Sequence, residues 1–200
     1  MLIRKENANM SELKFLSPIT AEQLTTLNGA LTLTDVGAAT KILVRTGSET
    51  AAANYLSTPF GCSREIIDGV LVCGTRPDEW TLYAAPEMAN ELIETIPEEG
   101  FVTVLDITHG RAMIRISGSC SSLALAKVCN IDFADDMIPD AAVFSAAVAG
   151  VSCDLIRNDQ TEGRSYLLTC ERSFGRYLFV ALADAGIEFG FNPPEGWTLH

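Results

Sequence analysis

The sequence predicts an α+β fold built from a duplicated strand–helix–strands–helix unit, and three observations carry that expectation. First, "DVGAATKILVRTGSET" (35–50) and "DITHGRAMIRISGSCS" (106–121) both begin with Asp, reach Gly twelve residues later and continue as Gly-Ser. Second, each stretch is followed by β-branched and aliphatic runs broken by turn residues. Third, each half then closes on a helical pattern, at an offset of 71 residues near its start.

In the first copy Ile42 and Val44 mark a strand, as Ile114 and Ile116 do in the second. Ser48 and Ser119 stand where a helix N-cap belongs, because a serine oxygen can accept from the orphan amides of a first turn. "GVLVCGTRPDEWTLYAAPE" (69–87) reads as strand, turn, strand, with Arg76-Pro77-Asp78 as the turn. Pro86 and Glu87 are expected to open a helix running to Ile96. In the second copy "AAVFSAAVAGVSCDLIRND" and "RSYLLTC" are strands and "ERSFGRYLFVALADAG" is the matching helix. Phe174, Leu178 and Ala181 fall on its buried face, and Gly186 ends it. One detail resists the alignment: Arg45 falls opposite Ile116 and Val44 opposite Arg115, so the hydrophobic phase slips between the copies.

Two hundred residues suit one domain of two joined halves. The expected division is an N-terminal arm (1–30), a single domain (31–188) of two repeats (31–100 and 101–188), and a C-terminal tail (189–200). The net charge of −12 repels phosphate backbones and anionic membrane surfaces, which argues against nucleic acid or membrane as partners. The first fifteen residues hold no apolar run of signal-peptide type, and no segment approaches the roughly 18 apolar residues of a membrane span. The cysteines (62, 73, 120, 129, 153 and 170) form no C-x-x-C pair, so they read as reduced, mostly buried thiols in a cytoplasmic protein, with no metal site expected.

The stretch with the densest chemistry is "TVLDITHGRAMIRISG" (103–118), which sets Asp106, His109 and Arg111 within six residues. A histidine oriented by a carboxylate can act as general base. On an extended strand, however, Asp106 and His109 point to opposite faces and could meet only if Ile107-Thr108 turns. Arg111 shares a strand face with His109, and Arg115 alternates with Met113 and Ser117 further along. No Gly-x-Ser-x-Gly elbow, Walker loop or Gly-x-Gly-x-x-Gly turn occurs. No catalytic or cofactor-binding residue is expected. The paired acids Asp135-Asp136 and Glu98-Glu99 read as solvated loops. His109, Arg111, Arg115, Glu79 and Trp80 are the candidate interface or cleft residues, with Trp80 also reading as core. The aromatics Phe189, Phe191 and Trp197 around Pro193-Pro194 form an arm that packs on a partner or on the chain's own core.

Taken together, "RPDEWTLYAAPE", "VLDITHGRAMIRISG", "LAKVCNIDF" and "RSYLLTCERSFGRYL" resemble the gamma subunit of heterotetrameric sarcosine oxidase, over roughly residues 30 to 188. That subunit is similar to the folate-binding domain of the glycine-cleavage T-protein, whose fold is a duplicated α+β unit. The resemblance implies larger alpha and beta partner subunits that hold FAD, FMN, NAD and tetrahydrofolate, with no cofactor in this chain. It implies a complex that oxidatively demethylates sarcosine and passes the one-carbon unit to tetrahydrofolate, in which this subunit is structural. The alternative is a free-standing folate-binding or aminomethyltransferase-like protein with a degenerate site. Against that, the T-protein's Gly-Gly-Ile-x-Asp-Asp and Tyr-Thr-Gly-Glu-x-Gly runs are altered here. "DGVLVCGTRPDEW" lacks the paired acids, and in "NDQTEGRSY" Gln160 replaces tyrosine while Glu162-Gly163 reverse the order. Charged hydrogen bonds contribute roughly 1.5–3 kcal/mol each, so losing two leaves folate a weak ligand.

Overall fold

Every strand of the computed structural model, which describes residues 16–19, 23–67, 69–161 and 163–193, belongs to one of two antiparallel sheets. In chain order the first half supplies β1 (Gln23–Thr25), β2 (Thr32–Asp35), β3 (Thr40–Thr46), α1 (Ala51–Leu56), β4 (Ser63–Ile67), β5 (Val70–Arg76), β6 (Glu79–Ala84) and α2 (Ala89–Thr95). The second half supplies β7 (Val102–Asp106), β8 (Arg111–Ser117), α3 (Ser121–Ala126), β9 (Val143–Val148), β10 (Val151–Arg157), β11 (Ser165–Glu171) and α4 (Gly175–Ala185). One sheet has the order β4-β5-β6-β3-β7 and the other β1-β2-β8-β11-β10-β9. The α+β class and the duplicated unit are therefore as the sequence led us to expect.

The two halves exchange their leading strands. β2, which precedes the first copy, pairs with β8 of the second; β7, which precedes the second, pairs with β3 of the first. The repeated Asp explains how. Asp35 Oδ1 accepts from the Gly37 amide (2.8 Å), and Asp106 Oδ1 accepts from the Thr108 amide (2.9 Å). Each carboxylate fixes the turn by which the chain leaves one sheet and enters the other, the usual preference of Asp for bonding the backbone two residues on.

The slip in hydrophobic phase has the same origin. Asp106 stands opposite Ile42 in one sheet and Asp35 opposite Ile114 in the other. Ile42 lies seven positions after Asp35, whereas Ile114 lies eight after Asp106, because the second turn holds an added residue in a 3₁₀ turn (Thr108–Gly110). Ile42 and Val44 thus correspond to Ile114 and Ile116, and all four are fully buried. A register error of one residue would turn such pairs outward, at a cost of roughly 1.5–3 kcal/mol per side chain.

Helices cover the outer face of each sheet. Ala52, Leu56 and Leu92 of α1 and α2 pack on Ile42, Val44, Trp80 and Leu82. Leu125, Leu178, Phe179 and Leu182 of α3 and α4 pack on Ile114, Ile116, Leu155 and Leu168. The inner faces meet over a smaller cluster, Cys73, Tyr83, Met113, Val143, Ile156 and Leu167. The result is four layers, helix–sheet–sheet–helix. The sheets are also stitched along one side: Val143 N donates to Gly61 O (2.8 Å) and Ser63 N to Ala141 O (2.7 Å).

Some local expectations are corrected. Neither Ser48 nor Ser119 caps a helix; Thr50 does so for α1, its hydroxyl accepting from the Ala53 amide (3.2 Å), and α3 starts after Cys120 without a side-chain cap. The serines sit too early because in each repeat the chain makes a further turn after the Gly before helix begins. α2 starts at Ala89, not at Pro86, since Glu87 takes a left-handed backbone (φ 68°) that cannot be the first turn of a helix. Phe174 lies ahead of α4 and is exposed, while Leu178 and Ala181 are buried as expected and Gly186 ends the helix. Four cysteines are buried, but Cys62 is exposed and Cys120 half-buried. In the tail Phe191 is buried and Phe189 packs on the chain's own core, while Trp197 lies outside the described residues.

Candidate functional site between the sheets

The stretch that carried the most chemistry in the sequence is not one strand. β7 ends at Asp106 on one sheet and β8 begins at Arg111 on the other, so 107–110 crosses between layers. His109 therefore sits exposed on the crossing turn and does not share a strand face with Arg111, correcting the expectation above. Arg111 and Arg115 do share a face of β8, with Met113 between them. That face points into the gap between the sheets, not to solvent, because Ala112, Ile114 and Ile116 take the helix side.

The gap opens into a charged cleft of about 410 Å³ on the Arg111 side. β3 contributes Lys41 and Arg45, the β5–β6 hairpin Arg76, Glu79 and Tyr83, and the facing sheet Arg111, Asp154, Thr169 and Glu171. Glu79 is its most enclosed carboxylate, with 2% of the residue exposed. Arg45 Nε donates to Glu79 Oε2 (2.7 Å), Thr75 Oγ1 donates to Oε1 (3.0 Å), and Arg76 also donates to Oε1. Burial alone would push this carboxyl up, but the bonds from Arg45 and Thr75 and the nearby Arg76 charge outweigh it and hold the group below its ordinary range. Within the facing sheet, Arg111 Nη2 donates to Asp154 Oδ2 (2.8 Å) and to Thr169 Oγ1 (3.2 Å), and Ser145 donates to Asp154 Oδ1 (2.7 Å). Lys41 is fully buried at the end of the cleft, its Nζ donating to the Gly37 and Ala39 carbonyls (2.7 Å each). Desolvation draws its ammonium down to about 8 despite the nearby Asp35 and Asp106.

A second, smaller cavity of about 290 Å³ lies on the other side of Tyr83 and includes Arg115. Arg115 Nη1 donates to Ser165 Oγ (2.7 Å) and to Asn158 Oδ1 (3.2 Å). Gln160 lies at its rim, next to the exposed Thr161 on the β10–β11 turn; Glu162 lies outside the described residues. Among the five candidates, then, the fold brings Glu79 and Arg111 together in the cleft. Arg115 opens on the other cavity, and His109 stands on the turn. Trp80 points away, into the helix-covered core, where its indole Nε1 donates to Thr58 O (2.7 Å). The sequence reading missed Lys41, Arg45 and Asp154. For Lys41 and Arg45 the signal was strand alternation on β3, where they share a face with Leu43 and interleave with the buried Ile42 and Val44. Asp135 lies in an exposed loop, as its sequence suggests, and there it meets two arginines: Arg157 Nη1 donates to it (2.6 Å), and Arg164 donates to the same oxygen.

The Glu79 cluster gives a pH test. A carboxylate whose pKa is depressed in the folded state contributes stability above its unfolded pKa of about 4.3 and loses it as pH falls through the folded value. We expect Glu79→Gln to cost about 1.5–3 kcal/mol at pH 7, with the gap from the native chain closing below pH 4. Urea melts from pH 7 down to 3 measure this, and a gap independent of pH would remove the charged pairing from the account.

No family model matches the chain. Among curated proteins it is 26% identical, over 175 residues, to the sarcosine oxidase subunit gamma of Corynebacterium sp. (strain P-1), covering 82% of this chain and 84% of that one. Among solved structures it superposes on a chain of the heterotetrameric sarcosine oxidase from Corynebacterium sp. U-96, determined in complex with pyrrole 2-carboxylate, with a TM-score of 0.70 and 22% identity, covering 82% and 87%. It also superposes on the glycine cleavage system aminomethyltransferase T from Bartonella henselae, with a TM-score of 0.60 and 14% identity, covering 75% of this chain and 44% of that one. In sequence the chain is thus similar to a sarcosine oxidase gamma subunit, and it has the fold shared by that oxidase chain and aminomethyltransferase T.

Proposed function

We propose that this chain is the small, structural subunit of a sarcosine-oxidase-like complex. The observation that carries the reading is the sequence similarity to a gamma subunit across four-fifths of both chains, joined to the fold shared with a chain of a heterotetrameric sarcosine oxidase. The cleft supports a structural role. Its main charged groups are spent within the chain, Glu79 on Arg45 and Arg76 and Asp154 on Arg111, so the pairs organise the gap between the sheets. In this reading larger alpha and beta subunits hold FAD, FMN, NAD and tetrahydrofolate and carry out the oxidative demethylation of sarcosine. The described residues of this chain then serve assembly, as one domain over 31–188, in the cytoplasm. No helix among the described residues is long and apolar enough to cross a membrane.

A second reading, a free-standing folate-binding or aminomethyltransferase-like protein, draws on the fold of aminomethyltransferase T and on the open cleft. Purification of the tagged chain from its native cells, with mass spectrometry and an absorption spectrum of the eluate, separates the two. Two larger partners and a flavin band are expected. A colourless protein that elutes alone would sink the subunit reading, and saturable binding of tetrahydrofolate to that isolated protein would favour the second.

A further inference from the structure

The duplication provides an internal control on what the fold requires. In the first copy six residues, 57–62, link the short helix α1 to the edge strand β4; in the second, sixteen residues, 127–142, link α3 to β9. The same step is closed twice, so the longer link is not demanded by the topology. Its inward residues anchor it. Phe133 and Ile138 are buried in the core, and Arg157 donates to Ile138 O (2.5 Å) and to Asp135. Its outward residues have no such task. Ile131, Met137 and Pro139 are exposed beside an apolar groove of about 560 Å³ that Ala142 and Phe144 help to line. The groove lining contains no Lys or Arg. Asp132 and Asp140 stand in it and Asp136 adjoins Met137, and among the described residues none of these three is ion-paired, whereas Asp135 is taken by Arg157 and Arg164.

We propose that this groove is a docking site for an apolar segment flanked by lysines or arginines on a larger partner subunit; the proposal rests on the subunit reading above. An exposed apolar surface held on a well-anchored loop favours burial against a partner. These three aspartates, of which Asp132 and Asp140 accept a backbone amide but meet no cation among the described residues, set that partner's charge, since a basic flank gains by complementarity and an acidic one is repelled. The same aspartates disfavour an anionic membrane. A second copy of this chain, itself strongly acidic, is a poor occupant for the same reason.

The test uses the complex purified from its own cells through a tag on this chain. A carbodiimide joins carboxylates directly to lysine amines. Mass spectrometry is expected to find Asp132, Asp136 or Asp140 linked to lysines of a larger subunit. Met137→Glu is expected to lower recovery of the larger subunits roughly tenfold. The exposed control Phe101→Glu, in the bend just ahead of β7, is expected to leave recovery unchanged, with both variants melting as the native chain does. A complex that forms normally with Met137→Glu and links only elsewhere overturns the docking site and leaves the subunit reading intact. Links between two copies of this chain overturn it in favour of self-association. A chain that elutes alone overturns both.

Discussion

Gly118→Ala is expected to destabilise the protein by about 3–5 kcal/mol, while Gly47→Ala, at the matching position of the other repeat, changes stability by no more than about 0.5 kcal/mol. The two glycines look alike in sequence, each following a strand and preceding Ser. Their surroundings differ. Gly118 adopts φ 107°, and a methyl there would lie 2.4 Å from Ala30 O, in the loop that leads into β2. That oxygen is held where it is, because the Cys120 amide donates to it (2.9 Å). Backbone strain and a backbone clash therefore add. A Cβ on Gly47 meets nothing within 4 Å, and its φ is not positive. Such a loss at Gly118 removes much of the roughly 5–15 kcal/mol that holds an ordinary domain together. Thermal and urea melts of the two single variants decide the matter; equal effects would mean that the exchanged β2 strand does not press on the second repeat as described.

Arg157→Met is expected to cost about 3 kcal/mol and to loosen the long link before β9. Arg157 is buried at the end of β10, donating through Nη1 to Asp135 (2.6 Å) and Ile138 O, and through Nη2 to Asp159 (2.8 Å). It thus ties three points of the second repeat with one planar group. Its guanidinium is held above its ordinary pKa, first by the bonds to Asp159, against the effect of burial. Asp159 is in turn held low: burial raises it, but Arg157 and the Ser165 amide outweigh that. Methionine roughly keeps the volume but leaves Ile138 O without its donor and Asp159 with only the Ser165 amide. Arg157→Lys keeps a charge yet cannot span all three acceptors, so an intermediate loss is expected. Hydrogen exchange gives a readout that stability alone does not: protection in 127–142 should fall in the methionine variant more than in β5 or β6. Uniform loss across the chain would show that Arg157 supports the whole domain and not this segment.

Much of the fold was legible in the sequence. Alternation of Ile42 and Val44 with Lys41 and Arg45 marks a strand with one apolar face, and the repeated Asp-to-Gly spacing marks the duplication. Both are local signals, set by the two-residue period of a strand and by Asp bonding the backbone two residues on. The one-residue slip in phase was visible but not interpretable, since a longer turn and a shifted strand leave the same trace in sequence.

The candidate site was far less legible, and His109 shows why. Reading 103–118 as one strand put His109 beside Arg111, whereas the chain breaks pairing at Asp106 and resumes it in the other sheet at Arg111. Which strands pair is a long-range choice, governed by which faces can be buried together, and no local pattern encodes it. For the same reason Glu79 and Arg111, 32 positions apart, share a cleft that neither stretch announces, with Lys41 and Asp154 beside them. The sequence by itself determined the class, the repeat and the polar or apolar character of each strand face. Only the tertiary structure decided that the leading strands change places, that the two inner faces meet over an apolar cluster beside a charged cleft, and that Arg111 and Asp154 neutralise each other there. Local periodicity fixes which side of a strand is buried, but the partner it is buried against is chosen by packing between segments far apart in the chain.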